Sequence, residues 1–254
     1  MTDRAPISKA QIQAITQARL THGARGRALA TSGTLGFALD HAKARAAVLS
    51  ELDAPRVTEA LAAAGLQCQL VTSAAETRDT YIRRPDLGRR LPPDAAAALR
   101  AGGDEGPPDV ALVLGDGLSA IAVALNGPAF LVAVAELLDQ AGLRVGPVIL
   151  ARQARVALGD DIARALGAQT VVMALGERPG LSAADSLGVY VTHQPGPTTP
   201  DSARNCISNI RAEGESPQSA AEKAYALIRA MRRHGLSGVA LNQEMENAGK
   251  LGPT

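Results

Sequence analysis

Tryptophan is missing from this 254-residue chain, and aromatic content is confined to two phenylalanines and three tyrosines. Alanine, leucine and valine must therefore fill any interior, which suits helices packed closely on a sheet. Cysteine is almost as scarce. Cys68 and Cys206 stand far apart, with no C-x-x-C and no Cys/His cluster. That argues against a disulfide scaffold or a zinc site and makes a reducing cytosol the natural setting. Charge of one sign is also lacking: the net charge of +1 gives no broad field to gather nucleic acid or anionic membrane. The amino end, Met1-Thr2-Asp3-Arg4, runs into a polar stretch instead of an apolar signal core. Apolar stretches elsewhere read as too short or too interrupted to span a bilayer. These absences describe a soluble intracellular protein. Apolar material is ample, at 46% of residues against 20% charged, so a buried core is within reach.

Length leans towards two domains, and the two parts of the chain read differently. Residues 1–105 have a mainly helical pattern. Ser8 caps a helix to about Leu20, a basic loop spans Thr21 to Arg27, and Leu35, Leu39 and Ala42 mark a helix ending near Leu52. Pro55 opens another helix, stopped by Gly65. Cys68–Thr72 alternates enough for a short strand, and Pro92-Pro93-Asp94 starts an Ala-rich helix ending at Gly102-Gly103. The string G-G-D-E-G-P-P, Gly102 to Pro108, is the best boundary. Residues 106–254 then alternate strand and helix. Strands are expected at Val110–Leu114, Val145–Leu150, Thr170–Leu175 and Leu187–Thr192. Helices are expected at Pro128–Gln140, Val156–Gly167 and Gln218–Arg233. This predicts an α/β protein: an open, mostly parallel, doubly wound (Rossmann-like) sheet preceded by the helical amino-terminal region.

Ligands of such sheets bind where loops converge at the carboxyl ends of the strands. Three ends are polar or glycine-rich: Gly115 to Ala120, Gly176 to Gly180, and His193 to Gly196, the last followed by a long loop to Arg204–Asn209. The first is formally a G-x-G-x-x-A dinucleotide string. The fingerprint wants an acid at the end of the second strand, but Arg152 stands there and suits a 2′-phosphate instead. A stand-alone NADP-binding oxidoreductase domain is therefore the alternative, beside a plain strand-to-helix turn. Tyr81 to Arg90 holds four arginines in ten residues. It reads as a solvated loop with ion pairs to Asp79 and Asp86, or as a surface for a partner protein or a phosphate. His22, His41, His193 and His234 suggest no triad, and Cys206 reads as a small apolar residue before a nucleophile. No paired carboxylates or metal cluster stand out, so the chain reads as a binding subunit.

Y-I-R-R-P-D-L-G-R-R-L from Tyr81, G-E-R-P-G-L-S-A-A-D-S-L from Gly176 and R-N-C-I-S-N-I from Arg204 resemble signature stretches of the ethanolamine ammonia-lyase small subunit. D-V-A-L-V-L-G-D-G-L-S from Asp109 and A-G-L-R-V-G from Ala141 also match, in the family's order over nearly the whole chain. The resemblance implies a hetero-oligomer with a larger barrel subunit and adenosylcobalamin, with its cobalt, held between the two. It implies radical deamination of ethanolamine to acetaldehyde and ammonia, the large subunit contacting the substrate. Cofactor contacts carry over to Val156, Glu177 and Cys206. None of the four histidines sits in a D-x-H-x-x-G string, so the cofactor is expected to keep its own lower ligand. Set against longer relatives, the chain is expected to lack their leading extension. In enteric relatives it accompanies packing into a bacterial microcompartment, so such packing stays open beside a plain cytoplasmic location.

Overall fold

The computed structural model describes residues 11–12, 24–25, 28–29, 31–101 and 106–250. The expected Ser8–Leu20 helix lies outside these apart from Gln11 and Ile12, which are helical. Strands β1 (Ala24–Arg25) and β2 (Ala28–Leu29) form a separate two-residue antiparallel ladder. Helices α1 (Thr31–Leu49) and α2 (Ala54–Ala62) follow. Asp53 caps α2 by accepting from the Arg56 amide, and Pro55 sits at its start. β3 (Cys68–Thr72), α3 (Arg78–Arg83) and α4 (Pro93–Ala101) complete the amino-terminal part.

From there the chain alternates: β4 (Val110–Gly115), α5 (Ala120–Gln140), β5 (Val148–Arg152), α6 (Leu158–Leu166) and β6 (Thr170–Gly176). β7 (Leu187–His193), β8 (Asn205–Ile210), α7 (Pro217–His234) and α8 (Gly238–Lys250) close it. One six-stranded sheet runs in the order β3-β5-β4-β6-β7-β8. The first four strands are parallel; β7 runs antiparallel to β6, and β8 antiparallel to β7. The sheet is thus α/β and mostly parallel but mixed, and its β3 edge strand comes from the first hundred residues.

Continuous apolar runs explain the central strands. Every residue of β4 and β6 is buried, because helices cover both faces there. Val110, Leu112 and Leu114 face α2, α5 and α7, while Ala111 and Val113 face α4 and α6. α6 is short and amphipathic: Leu158, Ile162 and Ala163 are buried, and Gly167 ends it in the left-handed region at φ 71°.

Three sequence readings are corrected. α5 begins at Ala120, not at Pro128. Pro128 removes one amide from the ladder, but the carbonyl left over, on Ala124, belongs to an exposed residue that water can serve. The resulting 21-residue helix is long and apolar enough to cross a membrane by length and composition, contrary to the reading of the apolar stretches as too short. Here it is a core helix. Phe130, Leu131, Val134 and Leu138 are fully buried, each worth about 1.5–3 kcal/mol. Finally, Asn205–Ile210 is a strand, not part of a long loop, and β7 reverses direction, so the His193 loop lies at the opposite edge from the Gly115 and Gly176 loops.

Candidate functional site

The chains leaving β4 and β5 depart to opposite faces of the sheet, which opens a crevice at their carboxyl ends. Arg78 and Asp116 fill it. Asp116 is almost fully buried and accepts from the amides of Gln153 (2.9 Å) and Ala154 (3.0 Å). Arg78 Nη1 lies 3.4 Å from Asp116 Oδ2 and donates to Gly117 O (2.9 Å) and Gln153 Oε1 (3.3 Å). Burial pushes the Asp116 carboxyl up, while the two amides and Arg78 oppose it. Gln153 is held at φ 56°, a conformation unfavourable for a side-chain-bearing residue, with its amide on Asp116 and its carbonyl accepting from Ser73 Oγ.

The glycines of the G-x-G-x-x-A string serve the same packing. A Cβ on Gly117 would fall 2.1 Å from Gly176 O, and the Leu118 amide donates to that oxygen at 2.9 Å. The turn is thus occupied by the chain's own backbone, where a dinucleotide would need room for its pyrophosphate. The nicotinamide-cofactor alternative finds no support.

A different surface is open. On the face that α4 and α6 cover, α6 packs on β4 and β6. Farther along, Tyr190 on β7 is half-buried and Cys206 on β8 is exposed. Tyr190 is the register partner of both Met173 and Cys206, so the three side chains share one face. The Cys206 and Tyr190 side chains meet. Burial chiefly, with the Cys206 sulfur and Glu177 beside it, pushes the Tyr190 phenol up to about 12. Burial and the Glu177 carboxylate also push the Cys206 thiol up, against the pull of Tyr190. The thiol therefore stays protonated near neutrality, a poor nucleophile and a compatible packing surface.

Glu177 follows β6 directly. Its amide donates to Ser186 O (2.9 Å), and its Oε2 accepts from Ser186 Oγ at 2.6 Å. Its side chain lies over Gly188, where a Cβ would meet Oε1 at 2.8 Å. Among the described residues Glu177 forms no ion pair, and its half-buried carboxylate is held by Ser186 on Oε2 and laid over Gly188, with no hydrogen bond to Oε1. Val156, half-buried at the entrance to α6, packs against the cluster that holds Met173 and borders Tyr190. Val156, Glu177 and Cys206 are thereby brought onto one face of one sheet. A buried ion pair between Asp160 on α6 and Arg204, which also donates to Asp201 Oδ1 (2.8 Å), ties β8 against this face.

Tyr190 and Gly188 were missed in the sequence. The alternation of Leu187-Gly-Val-Tyr-Val-Thr-His193 is the signal that places both on the face opposite Leu187 and Val189. In the arginine-rich segment, Arg83–Asp79 (3.0 Å) and Arg84–Asp86 (2.8 Å) make the local ion pairs expected of a solvated loop. Tyr81, however, is fully buried and donates to Ala154 O at 2.9 Å.

A family model described as the ethanolamine ammonia-lyase light chain matches residues 7–242. The chain belongs to this family. It is similar to an ethanolamine ammonia-lyase small subunit from Azotobacter vinelandii, 44% identical over 98% of this chain and 94% of that protein. Small subunits from Pseudomonas fluorescens (43% identical, 93% of this chain and 86% of that one) and Xanthomonas campestris (44%, 93% and 88%) are alike. The ethanolamine ammonia-lyase small-subunit family is one of carbon–nitrogen lyase subunits, and a small subunit implies a large one. The resemblance drawn from the Tyr81, Gly176 and Arg204 stretches therefore holds across nearly the full length.

Proposed function

We propose that this chain is the small subunit of an adenosylcobalamin-dependent ethanolamine ammonia-lyase, and that the open face of β6–β8 holds the cofactor against the large subunit. The supporting observation is the convergence of Glu177, Tyr190 and Cys206 on one uncovered sheet face, with Val156 at its rim. The chemistry of that face fits a corrinoid. A corrin ring is broad and apolar, and its rim carries amides that need acceptors. Cys206, Tyr190 and Val156 offer apolar surface, and Glu177 Oε1 offers an acceptor already aimed by Ser186. When bound, adenosylcobalamin supplies the radical chemistry that starts deamination of ethanolamine to acetaldehyde and ammonia. This chain's residues bind and orient, and the large subunit contacts ethanolamine.

In this reading residues 106–254 form a Rossmann-like cobalamin-binding unit and residues 1–105 its amino-terminal flank, in a cytoplasmic protein or one packed in a bacterial microcompartment. Titration of adenosylcobalamin into this chain, the large subunit and their mixture, followed by visible absorption, tests the proposal. Tight binding and ethanolamine turnover are expected only from the mixture. Turnover by this chain alone, or equal affinity with and without it, overturns the proposal.

A further inference from the structure

Helix α1 (Thr31–Leu49) turns its apolar side to solvent. Its inward stripe consists of small or polar residues, Gly33, Gly36, Asp40, Ala44 and Ala47, and Ala47 is the one buried residue of its 19. On the opposite side Leu35, Leu39, Ala42, Ala46 and Leu49 follow at intervals of 4, 3, 4 and 3, the spacing of a coiled-coil seam. All five are exposed, Leu35 by 65%, Leu39 by 56% and Leu49 by 53%. The side chains whose spacing marked this helix in the sequence therefore do not reach the core.

A helix in a protein is stabilised mainly by burying such a stripe, so α1 is left short of packing. It is nevertheless held in place: Val48 O accepts from Arg78 Nε at 2.9 Å. Helix α5, which α1 touches, also exposes Ile121 by 40% and Leu125 by 63%, one turn apart. Clustered apolar exposure of this kind marks a surface for another protein, where scattered single residues would not.

The flanks of the seam select the occupant. Lys43 lies on one side and Arg45 on the other; both are exposed, and neither forms an ion pair among the described residues. In a coiled coil these flanking positions set partner choice by charge. A second copy of this chain would bring the same two cations, and the other flanking residues, Gly36, Ala38 and Ser50, offer no acid. The fitting occupant is a helix whose own apolar seam is bordered by Asp or Glu, and Ala42 and Ala46 leave room for its backbone to come close. Family membership implies one other chain, the large subunit.

We propose that α1 docks through this seam onto an amphipathic, acid-flanked helix of the large subunit. The contact rests on the pairing of the two subunits and is independent of where the cofactor lies.

The test measures binding of the full chain to the large subunit, without cofactor, by calorimetry at low and high salt. It compares wild type, Leu39→Glu, and the double variant Lys43→Glu with Arg45→Glu. Leu39→Glu sets a charge in the apolar contact and should weaken binding about tenfold or more. The double reversal should weaken it about 2- to 30-fold at low salt and much less at high salt, where screening has already removed that part from the wild type. Every substituted side chain is exposed, so the free variants should unfold at the wild-type temperature. Unchanged affinity in either variant overturns the proposal, the double reversal because it removes the acid-flanked partner. A lowered unfolding temperature of free Leu39→Glu overturns it too, since this chain would then cover its own seam. So does a wild-type dimer in sedimentation that Leu39→Glu dissolves, which would give the seam to a second copy. If the wild-type chain does not bind the large subunit at all, the pairing itself fails and the proposal with it.

Discussion

Glu177→Ala is the substitution that separates a cofactor contact from a structural carboxylate. Glu177 makes one side-chain hydrogen bond, from Ser186 Oγ, and no ion pair among the described residues. Loss of that bond costs the fold about 1–3 kcal/mol, because Ser186 is buried and its hydroxyl is left without that acceptor. If Oε1 accepts from a cobalamin amide, the complex loses a charge-assisted contact of about 1.5–3 kcal/mol. At tenfold per 1.4 kcal/mol, cofactor affinity falls about 10- to 150-fold. In the proposed arrangement, with the substrate on the other subunit, the ethanolamine KM should barely move and saturating cofactor should restore most of kcat. Cofactor titration and thermal unfolding on the same reconstituted complex provide both readings. A stably assembled variant with unaltered cobalamin affinity would refute the reasoning and remove Glu177 from the site.

Three further outcomes are expected. Arg78→Met should destabilise the chain by about 3–5 kcal/mol in denaturant unfolding, because Asp116 is then buried without its cation; a change below about 1 kcal/mol would contradict a stabilising Arg78–Asp116 pair. His193, whose Nδ1 lies 2.9 Å from Thr170 Oγ1, has its pKa lowered by burial and by Arg232. The folded state then binds fewer protons than the unfolded one, so His193 favours folding above the unfolded pKa of about 6.5 and loses that contribution as pH falls, with a slope of up to about 1.4 kcal/mol per pH unit. His193→Gln should flatten stability against pH as pH falls below about 6.5, and an unaltered slope would count against this assignment. In the cob(II)alamin state of the complex, paramagnetic resonance with nitrogen-labelled protein should show no coupling from a protein nitrogen, the cofactor keeping its own lower ligand.

The parts of the fold that were legible are those where one force dominates. β4 and β6 are apolar from end to end because both faces are covered, and Ser216-Pro217 with Gly235 delimits α7 by cap chemistry alone. β8 was hidden because only Ile207 and Ile210 pack inward as apolar residues, while the first inward position, Asn205, bonds Asn242 and the Gly238 amide. The direction of β7 was hidden because a ten-residue connection between strands carries no mark of parallel or antiparallel return. Glu177 and Cys206 came from the family resemblance, since neither has a local signature; their juxtaposition depends on the β6–β7–β8 register. Arg78 was invisible for a related reason. It stands in a polar string, and the carboxylate that explains its burial lies 38 positions away.

That arginine also limits how the chain can be divided. Besides Asp116, Gly117 and Gln153, Arg78 donates through Nε to Val48 O at 2.9 Å, so one side chain joins the end of α1, the β4–α5 turn and the β5–α6 turn. A fragment beginning near residue 106 would retain the loops of the proposed site but leave Asp116 sealed against two amides with no cation. It would also strip β3 from β5, converting a paired inner strand into a bare edge ready to add a strand from another copy. The part from residue 106 onward is therefore not a module that can be excised or grafted. Its autonomy ends at the crevice where the first hundred residues supply the positive charge.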